Sequence, residues 1–141
     1  MTRILGVDPG TLRVGWGVIE GAGAAWKGVA WGVIRARGPL PSRLLAIFEA
    51  LTAIAAEHRP DILSLEDVFH GKDVRAMEKI GEGRAVAKLV AARAAVTLAE
   101  YPPATVKLSV AGHGGASKES VGRMVVATLG LASQPRPAEK Q

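Results

Sequence analysis

The chain has 141 residues, a formal net charge of +5, no Cys, 48% hydrophobic residues and only 4% aromatics. That length suits a single core built from Ala, Val, Leu and Ile; the lack of Cys excludes disulfides, thiol catalysis and thiolate metal sites and fits a reducing compartment. No apolar run nears the ~20 residues of a membrane span and no signal peptide opens the chain, so the expected location is the cytoplasm, and the basic excess favours a polyanionic partner, nucleic acid first.

Ile4-Leu5-Gly6-Val7 reads as a short buried strand that Asp8 closes, directly before a Pro9-Gly10-Thr11 turn. A second strand is expected over Arg13–Ile19, with Gly15 and Gly17 at alternate positions where a ligand or another backbone could come close. A Gly/Ala turn over residues 20–25 leads to a third strand from Lys27 to Arg35, alternating around Val29, Trp31 and Val33. These three form an antiparallel meander, and core or edge packing is the expected role of Trp16, Trp26 and Trp31.

Pro39-Leu40-Pro41-Ser42 then punctuates the chain, and Ser42 is the expected N-cap of a helix. Its apolar residues Leu44, Ile47, Phe48, Leu51, Ile54 and Ala55 recur at three and four, and it ends near His58. The next run, Asp61-Ile62-Leu63-Ser64-Leu65-Glu66, repeats the first motif: an apolar strand that ends in a carboxylate. An Ala-rich helix follows from Lys72 to about Ala95, with a break or bend expected near Gly81 and Gly83, and then a short strand from Ala95 to Leu98. A helix from Pro102 or Pro103 to Ala111, a glycine-rich loop over 112–117, a helix from Lys118 to Leu131 and a polar tail over 132–141 complete the chain. The pattern predicts an α/β fold with a sheet of mixed direction.

If the strands ending in Asp8 and Glu66 are parallel neighbours, ~4.8 Å apart, both acids emerge at the edge where such sheets gather ligands. Converging carboxylates at neutral pH hold hard divalent cations, which in turn take phosphate oxygens. A turn cap or a lysine partner is the plain alternative for either acid alone. Lys72, Arg75, Lys79, Arg84, Lys88 and Arg93 outnumber Asp73, Glu78 and Glu82 on the second helix, which suits a DNA-facing helix or simple solubility. The loop over 112–117 lacks the Gly-Lys of a nucleotide-binding P-loop, and His58, His70 and His113 have no metal-ligand spacing.

The order and spacing of Ile4-Leu5-Gly6-Val7-Asp8-Pro9-Gly10-Thr11, Gly15, Gly17, Pro41-Ser42-Arg43-Leu44 and Glu66-Asp67-Val68-Phe69 resemble the RuvC family of Holliday-junction resolvases. Lys79-Ile80-Gly81, Gly83, Val106-Lys107, Gly112-His113-Gly114 and Lys118 continue the likeness over nearly the whole chain. The resemblance implies an RNase H-like fold over residues 1–141 as one domain, and a homodimer that cuts four-way DNA junctions in recombination and repair beside a branch-migration helicase complex. It implies Mg²⁺ or Mn²⁺, two ions per site, held by four acids. Asp8 and Glu66 match the first two acids and Glu139 the third, with one extra methylene; the fourth position falls just after Gln141, where the tail over 132–141 would open a helix. On that basis weak or absent cleavage by a chain ending at Gln141 is expected.

The resemblance further implies that Lys107 and Lys118 act near the scissile phosphate, which makes them catalytic candidates together with the three acids. Phe69 would stack on an exposed base, while Lys72, Arg75, Lys79, Lys107, His113 and Lys118 would contact DNA. The alternatives are a junction-binding protein with impaired catalysis and another RNase H-like nuclease acting on structured RNA.

Overall fold

In the computed structural model, which describes residues 1–66 and 74–101, the chain begins with three consecutive strands. These are β1 (Thr2–Asp8), β2 (Arg13–Ala22) and β3 (Ala25–Arg35). They form the expected antiparallel meander, with Leu5 opposite Val18 and Val7 opposite Trp16. Helix α1 (Leu40–His58) leads back to β4 (Ile62–Glu66), and α2 (Val74–Ala94) leads to β5 (Thr97–Tyr101). The strand order is β3-β2-β1-β4-β5, with β4 parallel to β1 and β5 parallel to β4. Each parallel join needs a crossover, and each helix supplies one.

Strand alternation decides which residues enter the core. Leu5 and Val7 of β1, Val14 and Val18 of β2, and Leu63 and Leu65 of β4 are buried on the same side, where they meet Ile47, Leu51 and Ala55 of α1 and Val86, Ala87, Val90 and Ala91 of α2. Each fully buried Leu or Ile contributes roughly 1.5–3 kcal/mol. The core thus glues both helices to one face of the three central strands. Ile4, Gly6 and Asp8, and Ile62, Ser64 and Glu66, occupy the opposite parity.

Three local expectations change. Helix α1 starts at Leu40 with Pro39 as its N-cap residue and no side-chain cap bond, so Ser42 lies inside the first turn; proline fits the start because its missing N–H would be unpaired there. Helix α2 runs unbroken through Gly81 and Gly83, since packing of its buried face outweighs about 1 kcal/mol of helix propensity per glycine. Strand β5 begins at Thr97 because Ala95 takes a left-handed turn (φ 56°) that ends α2. The expected start of the second helix at Lys72, the helix from Pro102 or Pro103 to Ala111, the loop over 112–117, the helix from Lys118 to Leu131 and the tail over 132–141 lie outside the described residues.

Candidate active site

The alignment of β1 with β4 is set at the end opposite the two acids. The Arg3 amide donates to Asp61 Oδ2 (2.9 Å), and the Asp61 amide donates back to the Arg3 carbonyl (2.8 Å). The Arg3 guanidinium donates to the His58 carbonyl (2.6 Å) and pairs with Glu20 (3.0 Å), which also faces Lys27 at 3.9 Å. From this anchor the ladder runs Ile4 with Ile62, Leu5 with Leu63, Gly6 with Ser64 and Val7 with Leu65. Asp8 is the fifth residue after Arg3, and Glu66 the fifth after Asp61. Both strands run one residue past the last paired rung, so the Asp8 and Glu66 positions end adjacent parallel strands, as the sequence predicts.

Asp8 is exposed. Its neighbour across the antiparallel ladder is Gly15, and one rung back Gly6 faces Gly17. The sheet beside Asp8 is therefore bare of side chains on that parity, which leaves room for a bulky group to approach the carboxylate.

The turn that follows Asp8 is held from two sides. On the α1 side, Arg43 Nε donates to the Thr11 carbonyl (2.8 Å) and the Ala36 amide to the Leu12 carbonyl (2.9 Å). On the α2 side, the Gly10 peptide packs on Gly83, where a Cβ would stand 2.8 Å from the Gly10 oxygen and 3.1 Å from its nitrogen. One residue further along α2, Arg84 is 5% exposed and pairs with Glu100 of β5, which Lys88 also meets at 3.3 Å. Glu100 is the neighbour of Leu65 in the β4–β5 ladder, and the next rung is Glu66 with Tyr101. Sequence reading missed this role of α2, taking Gly83 for a break and Arg84 for one of several surface charges. The available signal was a glycine inside a strongly helical run, which often marks a close backbone approach.

Of the other predicted residues, Arg75 and Lys79 lie exposed on the N-terminal half of α2. Glu139, Lys107, Lys118, Phe69, Lys72 and His113 lie outside the described residues. Among the described residues no three His, Asp or Glu side chains gather as a metal cluster, and no helix is long and apolar enough to cross a membrane.

A family model described as crossover junction endodeoxyribonuclease RuvC matches residues 4–141. The chain belongs to the RuvC family. The crossover junction endodeoxyribonuclease RuvC of Chloroflexus aggregans is 44% identical over 96% of this chain and 84% of its own length, and that of Sorangium cellulosum is 41% identical over 96% and 76%. Among solved structures, T. thermophilus RuvC in complex with a Holliday junction substrate matches with a TM-score of 0.93 and 29% identity, covering 99% of this chain and 88% of that one. The yeast mitochondrial Holliday junction resolvase Ydc2 has a TM-score of 0.68 at 10% identity and covers 67% of its own chain, a likeness of fold alone. The mixed five-stranded sheet flanked by helices is thus the α/β, RNase H-like sheet of the RuvC resolvases, and the relatives are named as endodeoxyribonucleases.

Proposed function

We propose that this chain is a structure-selective DNA endonuclease that resolves four-way junctions by metal-dependent phosphodiester hydrolysis in recombination and repair. The observation that carries the reading is that Asp8 and Glu66 end the adjacent parallel strands β1 and β4, each one residue beyond their last paired rung, in a chain of the RuvC family. The structure of T. thermophilus RuvC with a Holliday junction supports the substrate assignment.

Two carboxylates on neighbouring strands are hard oxygen donors of the kind that suits Mg²⁺ or Mn²⁺, so the donor set fits the expected metal. When bound, such ions supply Lewis-acid stabilisation of the phosphate and an activated water, and two ions per site would serve both the attacking and the leaving oxygen. Asp8 and Glu66 would hold them, with Glu139 as a third ligand. The chain's own contribution is to keep two negative charges at a fixed spacing that neither would choose alone, since like charges repel. The bare lane along Gly15, Gly17 and Gly6 admits a strand to the exposed Asp8 carboxylate.

Positive charge has to balance that of the phosphates. Arg75 and Lys79 on α2 would supply it, together with Lys72, Lys107, His113 and Lys118, and Lys107 and Lys118 would act near the scissile phosphate. Phe69, three residues after Glu66, would stack on a base unpaired at the crossover. A homodimer presenting two such sites, acting with a branch-migration helicase complex, completes the proposal, with residues 1–141 as one nuclease domain and 132–141 as the tail where the last catalytic helix would begin.

The test offers the protein a labelled four-way junction, a linear duplex of the same sequence and a structured RNA. Preferential binding of the junction in EDTA, weakening steeply with salt, and its cutting only on addition of Mg²⁺ or Mn²⁺ are the expected results. Equal action on duplex or RNA, or cutting in EDTA, overturns the assignment. Junction binding without cutting in either metal would reduce the chain to a binding protein.

A further inference from the structure

Two consecutive residues of α2 reach the two strand ends that carry the acids, by different physics. Gly83 touches β1's exit through backbone alone: the missing Cβ lets the helix lie against the Gly10 peptide, two residues after Asp8. Arg84 touches β4's exit indirectly. Its buried guanidinium pairs with Glu100, and Glu100 stands beside Leu65, one rung before Glu66. A nearly fully buried Arg is rare unless paired, and removing its partner would leave that charge poorly compensated. Both contacts are constrained, the first because backbone cannot rotate away and the second because the guanidinium is buried.

The rest of the helix shows that the contact at Gly83 is particular to that position. Gly81, half a turn earlier on the same helix, has no atom within 4 Å of where a Cβ would stand. Helix α2 also packs on α1, and Arg43 of α1 holds the next carbonyl of the same turn, at Thr11. The Asp8 turn is thus pinched between the two helices, and β4 is tied to α2 through β5.

We propose that Gly83 and Arg84 are positioning residues that fix the separation of Asp8 and Glu66, Gly83 by backing the Gly10 peptide and Arg84 by tying β5 along the end of β4. The inference rests on the nuclease reading only for its consequence in metal binding. A Cβ at position 83 must push the Gly10 turn, and Asp8 with it, away from its place beside β4. The acids survive but no longer stand at the spacing a shared ion needs.

The test compares Gly83→Val with Gly81→Val, which carry the same helix penalty and differ only in what the side chain meets; Gly83→Ala replaces the first if it fails to fold. Amide hydrogen exchange in metal-free protein should quicken at Gly10, Thr11 and Leu12 in the position-83 variant and not in the position-81 variant. The Mn²⁺ concentration for half-maximal junction cleavage should rise by about 10- to 100-fold at position 83, the usual penalty for losing a group that orients metal ligands, with the rate recovering at high Mn²⁺. Junction binding in EDTA should stay within about threefold, since no phosphate contact is removed. Arg84→Met should raise the same midpoint, and Arg84→Lys should restore part of it. Unchanged exchange at the turn, equal effects at 81 and 83, or a lower rate at an unaltered Mn²⁺ midpoint would each overturn the proposal. A wild-type chain that never cleaves a junction in Mn²⁺ would sink the nuclease reading instead, and the exchange comparison would still decide whether Gly83 positions the turn.

Discussion

The two ends of the β1–β4 pair share one backbone ladder and differ in what their charged groups meet. At the start of the strands, Arg3, Asp61, Glu20, His58 and Lys27 form a closed network in which each charge or polar group has a partner. At the finish, two acids end the neighbouring strands beside a lane of glycines. The first arrangement stabilises the fold; the second gathers two carboxylates at one sheet edge, where a cation could bind. The contrast teaches that the same register can serve as structure at one end and as chemistry at the other.

Substitutions at the two ends should separate these roles. The largest effect is expected at the finish: Asp8→Asn should lower Mn²⁺-dependent junction cleavage by about a thousandfold, several kcal/mol of transition-state stabilisation at 1.36 kcal/mol per tenfold. A thermal melt beside the cleavage assay checks that the variant stays folded. Between the two ends, Leu65→Ala opens a cavity in the shared core and should cost about 2–5 kcal/mol in urea unfolding.

At the start, Arg3→Met removes the bonds to the His58 carbonyl and to Glu20 and should cost roughly 1–3 kcal/mol, with the cleavage rate per folded molecule unchanged. A fall in that rate would show that the closed network also tunes the acids, and would erase the contrast. The smallest effect is expected away from both ends. Gly81→Ala, with open space around it, should stabilise the protein by up to about 1 kcal/mol through helix propensity, measured as a shift in the urea midpoint.

Much of this was legible because the chain states it twice. The apolar runs ending in Asp8 and Glu66 announce two buried strands that finish in charge, and the parallel pairing that joins them follows from the helix between them. The meander was equally plain from the alternation around Trp31 and Val33. What could not be read were the contacts that depend on the fold being assembled. Glycine at 83 weakens a helix in isolation, so local reasoning takes it for a break; only the approach of the Gly10 peptide shows why it is there. Arg84 looks like any helix charge until β5 brings Glu100 to it. The start of α1 was misplaced for a similar reason, since Ser42 has the chemistry of a cap and Pro39 occupies the position.

The matched six-residue runs from Arg3 to Asp8 and from Asp61 to Glu66 make the two strands a pair of rulers cut to one length. Inserting a single residue into either ruler slides its acid by about 3.3 Å and turns it to the opposite side of the sheet. Evolution or an engineer can therefore lengthen this part of the molecule only by adding an even number of residues to both strands together. That coupling leaves the interior of β1 and β4 free to change in composition and closed to change in length.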